Sequence, residues 1–276
     1  MKIILKNLLK NLKKKLIIED AAINFGAKVD GKYLGTLCDY GFFSFNLVKN
    51  LNTLNGGAIF IKDKSEYEKF KTSYKKDNFP ITITLNLLLT AIIIKFVFNN
   101  LSYQFFHYIL KFIYKKKINF ILKRIYPVLF HKFEEKLPKI YTYDFNWSMN
   151  DVGNYNLDQV NQGIEERIKK AQIYKLHIKD SVAIKTECIK NENALLEYPI
   201  ILKNIDNKEA HNILMREGYD IRHTWYINNV RDIKNLNKND FADTFFLEKH
   251  ILCLPLHKNI SQSDIIELSN LINKYF

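Results

Sequence analysis

Short apolar runs alternate with helical patterns over the first 78 residues, and no other feature of the sequence constrains the fold more. Residues 16–18, 39–45 and 58–62 are strand-like, and the first run is followed directly by Glu19 and Asp20. We expect that first strand to be buried, with its acidic residues at the carboxyl end. The segment SEYEKFKTSYKK then follows the helix dipole, with acidic residues in its first turn and basic residues in its last. Strands that alternate with helices predict an α/β sheet.

Residues 79–130 differ in character from the segments on either side. FPITITLNLLLTAIIIKFVF carries one charged residue, Lys95, and an aromatic, lysine-rich segment follows it. A full bilayer span needs about 20 apolar residues, so this run is at the lower limit. Two interpretations stay open: a buried core or subunit-interface helix, or a hairpin on a membrane surface, which is preferred to a true span. The basic residues that would meet lipid headgroups are Lys111, Lys115, Lys116, Lys117, Lys123 and Arg124.

From residue 141 onward the globular α/β pattern returns. The predicted helices and strands of this part are 158–176, 198–202, 208–217, 251–254 and 261–275. The start of the chain, residues 1–15, predicts an amphipathic helix and lacks the apolar core and cleavage site of a signal peptide. The sequence therefore predicts three domains, at 1–78, 79–140 and 141–276.

The formal net charge of +13 does not by itself indicate a nucleic-acid protein. The chain has 37 lysines and only five arginines, whereas readers of bases and phosphates favour the bidentate guanidinium of arginine. A basic surface suits anionic lipid or a phosphorylated substrate equally well. We therefore expect no nucleic-acid partner.

The cysteines and histidines argue against a disulfide framework and against a metal site. Cys38, Cys188 and Cys253 lie far apart and are odd in number, which favours a reducing cytoplasm. The seven histidines show no metal-ligand spacing, so no metal is expected.

Asp20 and Lys49 are the candidate catalytic pair. Asp20 closes an apolar strand, and open α/β sheets place their ligands at the carboxyl ends of their strands. Lys49 follows the next strand-like run and precedes the pair Gly56-Gly57. A lysine held near a carboxylate there can form a Schiff base, although a solvated lysine gives the same spacing in a lysine-rich chain.

The order of motifs around this pair resembles the pyridoxal-phosphate-dependent sugar aminotransferases of the DegT/StrS type. The matching stretch, residues 16–60, reads LIIEDAAINFGAKVDGKYLGTLCDYGFFSFNLVKNLNTLNGGAIF. It contains E-D-A-A, G-A, K-x-x-G, D-x-G-x-x-S-F, the lysine and G-G-A-I in the family's order. The resemblance implies an incomplete fold-type-I large domain and a C-terminal α/β small domain, with an apolar helical insertion between them.

The resemblance also implies a role for each matched residue. Lys49 would form the Schiff base with pyridoxal phosphate and move the substrate's α-proton. Asp20 would keep the pyridine nitrogen protonated, and Ser44 would bind the cofactor phosphate. In the block 143–151, Asn146 would reach the phosphate bound by a neighbouring subunit, which implies a homodimer.

By the same resemblance, the reaction moves an amino group, expected from glutamate, to a keto-sugar carried on a nucleotide or a lipid in glycan biosynthesis. We expect a cytoplasmic protein, with the inner face of the membrane as a further site of association. The alternative is an inactive remnant or a module that docks on a full-length homologue or a membrane.

Several positions depart from the family pattern. Ile23 stands where a Gln or His packs over the cofactor ring, Ser148 replaces an arginine, and Leu54-Asn55 replaces a Gly-Glu pair. The family also carries much of its large domain before the Asp-bearing strand, including the helix N-terminus that holds the phosphate. We expect that part to come from a longer reading frame or a partner chain, unless the chain is a degenerate remnant.

Overall fold

The computed structural model describes residues 16–74, 77–97, 99, 102–116, 118, 142–186, 189–221 and 237–276. The predicted helix at 1–15 lies outside these residues, as do Cys188, Lys117, Lys123 and Arg124. The described residues group into two compact units. The first takes its residues from 1–92, 136–168 and 190–196, and the second from 93–135, 169–189 and 197–276. The division into domains at residues 78 and 140 stays a prediction.

The sheet of the first unit has three strands in the order β1-β4-β5. Strand β1 (Ile18–Asp20) runs parallel to β4 (Tyr40–Ser44), which pairs antiparallel with β5 (Gly57–Ile61). Between β1 and β4, the short strands β2 (Lys28–Val29) and β3 (Lys32–Tyr33) form an antiparallel hairpin. The parallel pairing places Asp20, at the carboxyl end of β1, beside Phe42 in the middle of β4.

The prediction that the first strand is buried is wrong. Leu16 is 66% exposed and Ile18 is 58% exposed, and Ile59 on β5 is 57% exposed. Apolar strand residues are normally covered by a second layer. Among the described residues, no such layer shields these three side chains.

The glycines of the K-x-x-G and D-x-G motifs lie against each other. A Cβ on Gly41 would collide with the carbonyl oxygen of Gly35, and one on Gly35 would collide with the Phe43 ring. Gly35 also has a φ of +86°, a conformation that side chains disfavour. Because both residues are glycines, the backbone of the loop at Gly35 can pack directly against the backbone of β4 at Gly41.

Helix α1 (Lys64–Ser73) follows β5, close to its predicted position. Asp63 caps it by accepting hydrogen bonds from the Glu66 N–H and the Ser65 hydroxyl. No residue of α1 is buried.

The apolar segment forms two helices, α2 (Ile81–Val97) and α3 (Tyr103–Lys115). None of the helices in the described residues is both long and apolar enough to cross a membrane. Along α2, large apolar side chains that are more than half exposed recur at helical spacing: Ile81, Leu85, Leu89, Ile92, Ile93 and Phe96.

Helix α3 packs by one face and exposes the other. His107 contacts the Met215 carbonyl oxygen at 3.3 Å, and Lys111 donates to the Arg216 carbonyl at 2.9 Å. On the other face, large apolar side chains are spaced three or four residues apart and exposed: Phe105, Tyr108, Ile109 and Phe112. The predicted alternatives for this segment, a core or interface helix and a membrane-surface hairpin, stay predictions, and the apolar face of α3 is exposed among the described residues.

Two further helices follow the insertion, α4 (Trp147–Leu157) and α5 (Val160–His177). Helix α5 buries one residue per turn: Val160, Ile164, Ile168, Ala171 and Tyr174. This is the stripe expected of a helix that covers a core.

The sheet of the second unit is antiparallel, in the order β6-β7-β8. It consists of β6 (Ala183–Lys185), β7 (Glu197–Leu202) and β8 (Ile251–Pro255). On β7, Tyr198, Ile200 and Leu202 are fully buried while their neighbours are less so, as a strand with one covered face requires.

The helices of the second unit are α6 (Asn207–Arg216), a 3₁₀ turn (Lys238–Phe241), α7 (Ala242–His250) and α8 (Gln262–Tyr275). Helices α6 and α8 begin and end close to their predicted positions, whereas the 3₁₀ turn and α7 were not predicted. Gly218, two residues past α6, has a φ of +102°, which is typical of a glycine that ends a helix.

Candidate functional site

Asp20 is the last residue of β1 and lies at the surface. One of its carboxylate oxygens, Oδ1, accepts a hydrogen bond of 3.0 Å from the Ala22 N–H. This contact orients the carboxylate at the turn where the chain leaves the sheet. The position agrees with the prediction that Asp20 stands at the carboxyl end of its strand.

Lys49 lies in the turn after β4 and is half-buried. Its backbone N–H donates to the Asn46 carbonyl oxygen at 2.9 Å. Among the described residues, its amine has no hydrogen bond or ion-pair partner. Burial lowers the pKa of Lys49, and the negative charge of Asp20 opposes that decrease. The structure therefore brings the two predicted residues close enough for the Asp20 charge to act on a lysine amine whose pKa is lowered by burial.

Ser44 ends β4 and pairs with Gly57 on β5. It is partly buried, and within the described part of the chain its hydroxyl has no hydrogen-bond partner. A Cβ on Gly57 would meet the Phe43 carbonyl oxygen, so a side chain there would disrupt the pairing. Ser44 thus offers an unused hydroxyl donor at the strand end that precedes Lys49.

The loop that follows Lys49 is anchored by buried residues. Leu51, Thr53 and Leu54 are at most 7% exposed, and the Thr53 N–H donates to the Phe45 carbonyl at 3.0 Å. Leu54 has a φ of 72° in the left-handed region, where leucine is strained. Leu54 stands where the family pattern has glycine, and it adopts the left-handed conformation that glycine would adopt without strain.

Asn50 is a residue that the sequence analysis missed. Its Nδ2 donates to the Phe25 carbonyl at 3.3 Å and to the Ala194 carbonyl at 3.0 Å. Its Oδ1 accepts a hydrogen bond from Arg167 on α5. The only signal in the sequence is an amide side chain directly after the lysine, which does not reveal three partners from distant segments.

Asn146 is engaged within its own chain. It caps α4, since its Oδ1 accepts from the Met149 N–H at 3.0 Å and from the Ser148 hydroxyl at 2.7 Å. Its Nδ2 donates to the Thr84 hydroxyl at 2.6 Å. The described contacts do not join Asn146 to Lys49, and its role toward a neighbouring subunit stays a prediction.

Two of the departures from the family pattern have clear structural settings. Ser148, which replaces the arginine of the family pattern, is 4% exposed. Its small hydroxyl donates to Asn146. Ile23 is 53% exposed, in the turn after Asp20. Neither side chain offers a charge to a ligand.

The cysteines and acidic clusters offer no competing site among the described residues. Burial and the adjacent Glu19 carboxylate raise the pKa of Cys38 to about 11, so its thiol stays protonated at neutral pH. Cys253 is buried as well. In the described ranges, no three His, Cys, Asp or Glu residues group as metal ligands.

The segment that carries Asp20, Ser44 and Lys49 is similar to a known protein family. Residues 8–76 match the model of the DegT/DnrJ/EryC1/StrS aminotransferase family. This range contains β1, β4, β5, Asp20, Ser44 and Lys49. The resemblance predicted from the motif order is therefore confirmed over this segment.

Two curated relatives match within the same class. GDP-perosamine synthase of Escherichia coli O157:H7 is 43% identical over 53 residues, which are 19% of this chain and 15% of the relative. UDP-4-amino-4,6-dideoxy-N-acetyl-beta-L-altrosamine transaminase of Campylobacter jejuni is 38% identical over 64 residues, 22% of this chain and 17% of the relative. The matched segments are thus short parts of both enzymes.

A solved structure extends the similarity to the whole fold. A Streptococcus pneumoniae protein named as a sugar aminotransferase, solved in its PMP form, superposes with a TM-score of 0.63 at 15% identity. The superposition covers 97% of this chain and 58% of that protein. The predicted fold class, an incomplete α/β fold of type I, is therefore confirmed. The chain spans little more than half the length of that structure.

Proposed function

We propose that the chain is part of a pyridoxal-phosphate-dependent aminotransferase that transfers an amino group to a keto-sugar. The observation that carries this proposal is the half-buried Lys49 amine, unbonded within the described residues and close enough to Asp20 for their charges to interact. A nucleophilic lysine needs its neutral form, which burial favours. The pair lies within the segment that matches the aminotransferase family.

The residues present fit pyridoxal phosphate. When bound, that cofactor supplies a carbonyl that condenses with amines and a ring that accepts electron density. Lys49 would hold the cofactor and take up or release a proton at Nζ. The Asp20 carboxylate would stabilise positive charge on the ring nitrogen, and the Ser44 hydroxyl would donate to the phosphate.

The substrate class rests on the relatives. Both curated relatives carry names of nucleotide-linked aminosugars, GDP-perosamine and a UDP-linked amino-dideoxy sugar. We propose a keto-sugar on a nucleotide or lipid carrier as amino acceptor and glutamate as donor, in glycan biosynthesis. The net charge of +13 suits an anionic carrier.

We also propose that a second chain, either a copy of this one or a partner, completes the site. Support comes from the apolar residues at the first sheet that stay exposed among the described residues, Leu16, Ile18 and Ile59. An inactive docking module is not favoured, because Asp20, Ser44 and Lys49 are all present in the matched segment. The buried cysteines Cys38 and Cys253 suit a reducing cytoplasm.

A membrane surface is a second proposed partner, and α3 is the observation that favours it. Its exposed aromatic and aliphatic face is accompanied by exposed lysines at Lys115 and Lys116, and by Lys95 at the end of α2. Apolar side chains flanked by lysines are typical of helices that bind anionic lipid surfaces.

Reductive trapping tests the aminotransferase proposal. The full chain is incubated with pyridoxal phosphate and reduced with borohydride, and the modified lysines are mapped by mass spectrometry. We expect one dominant phosphopyridoxyl adduct, on Lys49. The Lys49→Ala variant should lose it, while Lys64→Ala, which removes an exposed lysine of α1, should keep it.

Adducts spread evenly over many lysines would contradict the assignment, as would an unchanged pattern in Lys49→Ala. In the complete enzyme, Lys49→Ala should lower transamination by at least about 100-fold, the scale of a lost general acid–base group. Retained transamination would also overturn the role of Lys49.

A further inference from the structure

The Asn50 side chain joins three segments of the first unit that are far apart in the sequence. Its amide donates to Phe25, in the loop after β1, and to Ala194, in the loop before β7. Its carbonyl oxygen accepts from Arg167 on α5. Both donor hydrogens and the acceptor oxygen are therefore in use, which is the full satisfaction that a partly buried amide requires.

The partner from α5 is itself constrained. Burial lowers the pKa of the Arg167 guanidinium, while the neighbouring Glu166 acts in the opposite direction. A buried guanidinium needs acceptors because desolvation penalises its charge. The Asn50 oxygen is such an acceptor, so the contact restrains both side chains.

The position of Asn50 gives this arrangement a consequence for Lys49. Asn50 is the next residue along the chain, so fixing its side chain fixes the backbone that carries the lysine. Phe25 lies five residues after Asp20, and the Ala27 N–H donates to the Asn24 carbonyl at 2.9 Å within the same loop. The Asn50 amide therefore ties the Lys49 turn to the loop that begins at Asp20.

We propose that Asn50 and Arg167 are positioning residues, which hold the Lys49 amine partly buried at the Asp20 end of β1. The value of this positioning for catalysis rests on the proposed function. The positioning itself does not, because the contacts that produce it belong to the chain alone. Neither residue needs to touch a ligand.

A probe that requires no cofactor tests the proposal directly. Lys49 in the full chain is labelled with acetic anhydride across a pH series, and its labelling is followed by peptide mass spectrometry. Asp20 is the charged group that acts on Lys49, and its negative charge raises the pKa of the lysine. In wild type, we expect labelling of Lys49 to begin at lower pH than that of the exposed lysines, because burial lowers its pKa.

In Asn50→Ala, we expect the Lys49 profile to move toward that of the exposed lysines, because the turn is released to solvent. Arg167→Met should move it in the same direction, since the Asn50 oxygen loses the guanidinium that donates to it. Trapping of pyridoxal phosphate on Lys49 at limiting cofactor should fall about tenfold or more in both variants, given the sensitivity of reactive groups to displacement.

Asn52→Ala is the matched control. Asn52 lies in the same loop, but among the described residues its side chain bonds only within that loop, to Leu47 and Leu54. We expect it to leave the Lys49 profile in place. Circular dichroism and thermal unfolding establish that each variant is folded.

The possible outcomes separate this inference from the proposed function. If wild type traps no cofactor but Asn50→Ala still moves the labelling profile, the aminotransferase proposal fails and the positioning inference stands. If folded Asn50→Ala and Arg167→Met both leave the profile unchanged, the positioning inference is overturned. An equal displacement by Asn52→Ala would overturn it as well, since the effect would then be general loosening of the loop.

Discussion

At the scale of single residues, two opposing influences act on the Lys49 amine. Burial favours the neutral amine, and the Asp20 carboxylate favours the protonated one. The balance suits a lysine that must act as a nucleophile and also carry a proton. Asp20 would serve a bound cofactor as well, so one carboxylate would tune two groups.

The Asp20→Asn variant separates these two effects. Without the carboxylate, the pKa of Lys49 falls further, so the amine is neutral at lower pH and acetic anhydride labels it there. Transamination by the complete enzyme should fall, because the ring nitrogen loses its charged partner. Labelling and activity are thus expected to change in opposite directions.

Asp39→Asn is the control for that variant. Asp39 is an exposed carboxylate in the same unit, and it accepts a hydrogen bond from the Ile17 N–H. It should leave the Lys49 labelling profile unchanged. If Asp20→Asn also left the profile unchanged, the electrostatic link between Asp20 and Lys49 would be disproved.

Motif order in the sequence predicts roles for Asp20, Ser44 and Lys49, and these roles stay predictions, while the structure places Asp20 where its charge acts on the Lys49 amine. The residues that hold them could not be predicted. Asn50 finds its partners through the fold, at Phe25, Arg167 and Ala194, and nothing local in the sequence connects these positions. The left-handed conformation of Leu54 was equally hidden, because sequence propensity assigns it to glycine.

At the scale of elements, local signals predicted the helix ends well. The S-x-x-D start of the last helix is a complete capping box in α8, with Ser261 and Asp264 each bonding the other's backbone N–H. The burial of β1 was predicted wrongly, since an apolar run shows that a strand has a face to cover but not which segment covers it. The outward apolar face of α3 has the same explanation.

Two substitutions in α8 measure how this helix is held. Ser261→Ala removes the cap and should cost about 1 kcal/mol of unfolding free energy. Leu268→Ala, at a fully buried position, should cost about 2–5 kcal/mol because it leaves a cavity.

Urea unfolding followed by circular dichroism gives both values. Gln262→Ala, at an exposed position of the first turn, is the control and should change little. A cost for Ser261→Ala equal to that for Leu268→Ala would show that packing does not dominate the stability of α8.

At the scale of the whole molecule, the fold matches an aminotransferase over most of this chain but little more than half of its structural neighbour. The first 78 residues predicted this class because their motifs are ordered and specific. The apolar segment did not predict a structure, since the same composition suits a core, an interface or a lipid surface. Exposure of the α3 face settles that this face is not in the core formed by the described residues.

The membrane proposal is a prediction about the molecule's overall charge as much as about α3. The full chain should sediment with vesicles containing anionic phosphatidylglycerol. Binding should weaken as sodium chloride rises, because the screening length falls to about 8 Å at 0.15 M. The variant Phe105→Ser/Phe112→Ser should bind less at every salt concentration.

A matched double variant, Tyr155→Ser/Leu176→Ser, removes two comparably exposed apolar side chains from α4 and α5. It should bind like wild type. Equal loss in both double variants, or equal sedimentation with neutral phosphatidylcholine vesicles, would contradict a specific role for α3 and its lysines.

Helix α1 provides a natural reporter of what covers the first unit. It buries no side chain, and its capping bonds at Asp63 are local. Its amide hydrogens should therefore exchange with deuterium through local opening, much faster than those of the buried strand β7. Tyr67, Phe70 and Tyr74 are all more than one-third exposed, so a chain that settles on them will slow this exchange. Slower hydrogen exchange in α1 would therefore report that another chain covers this helix, without an assay for any reaction.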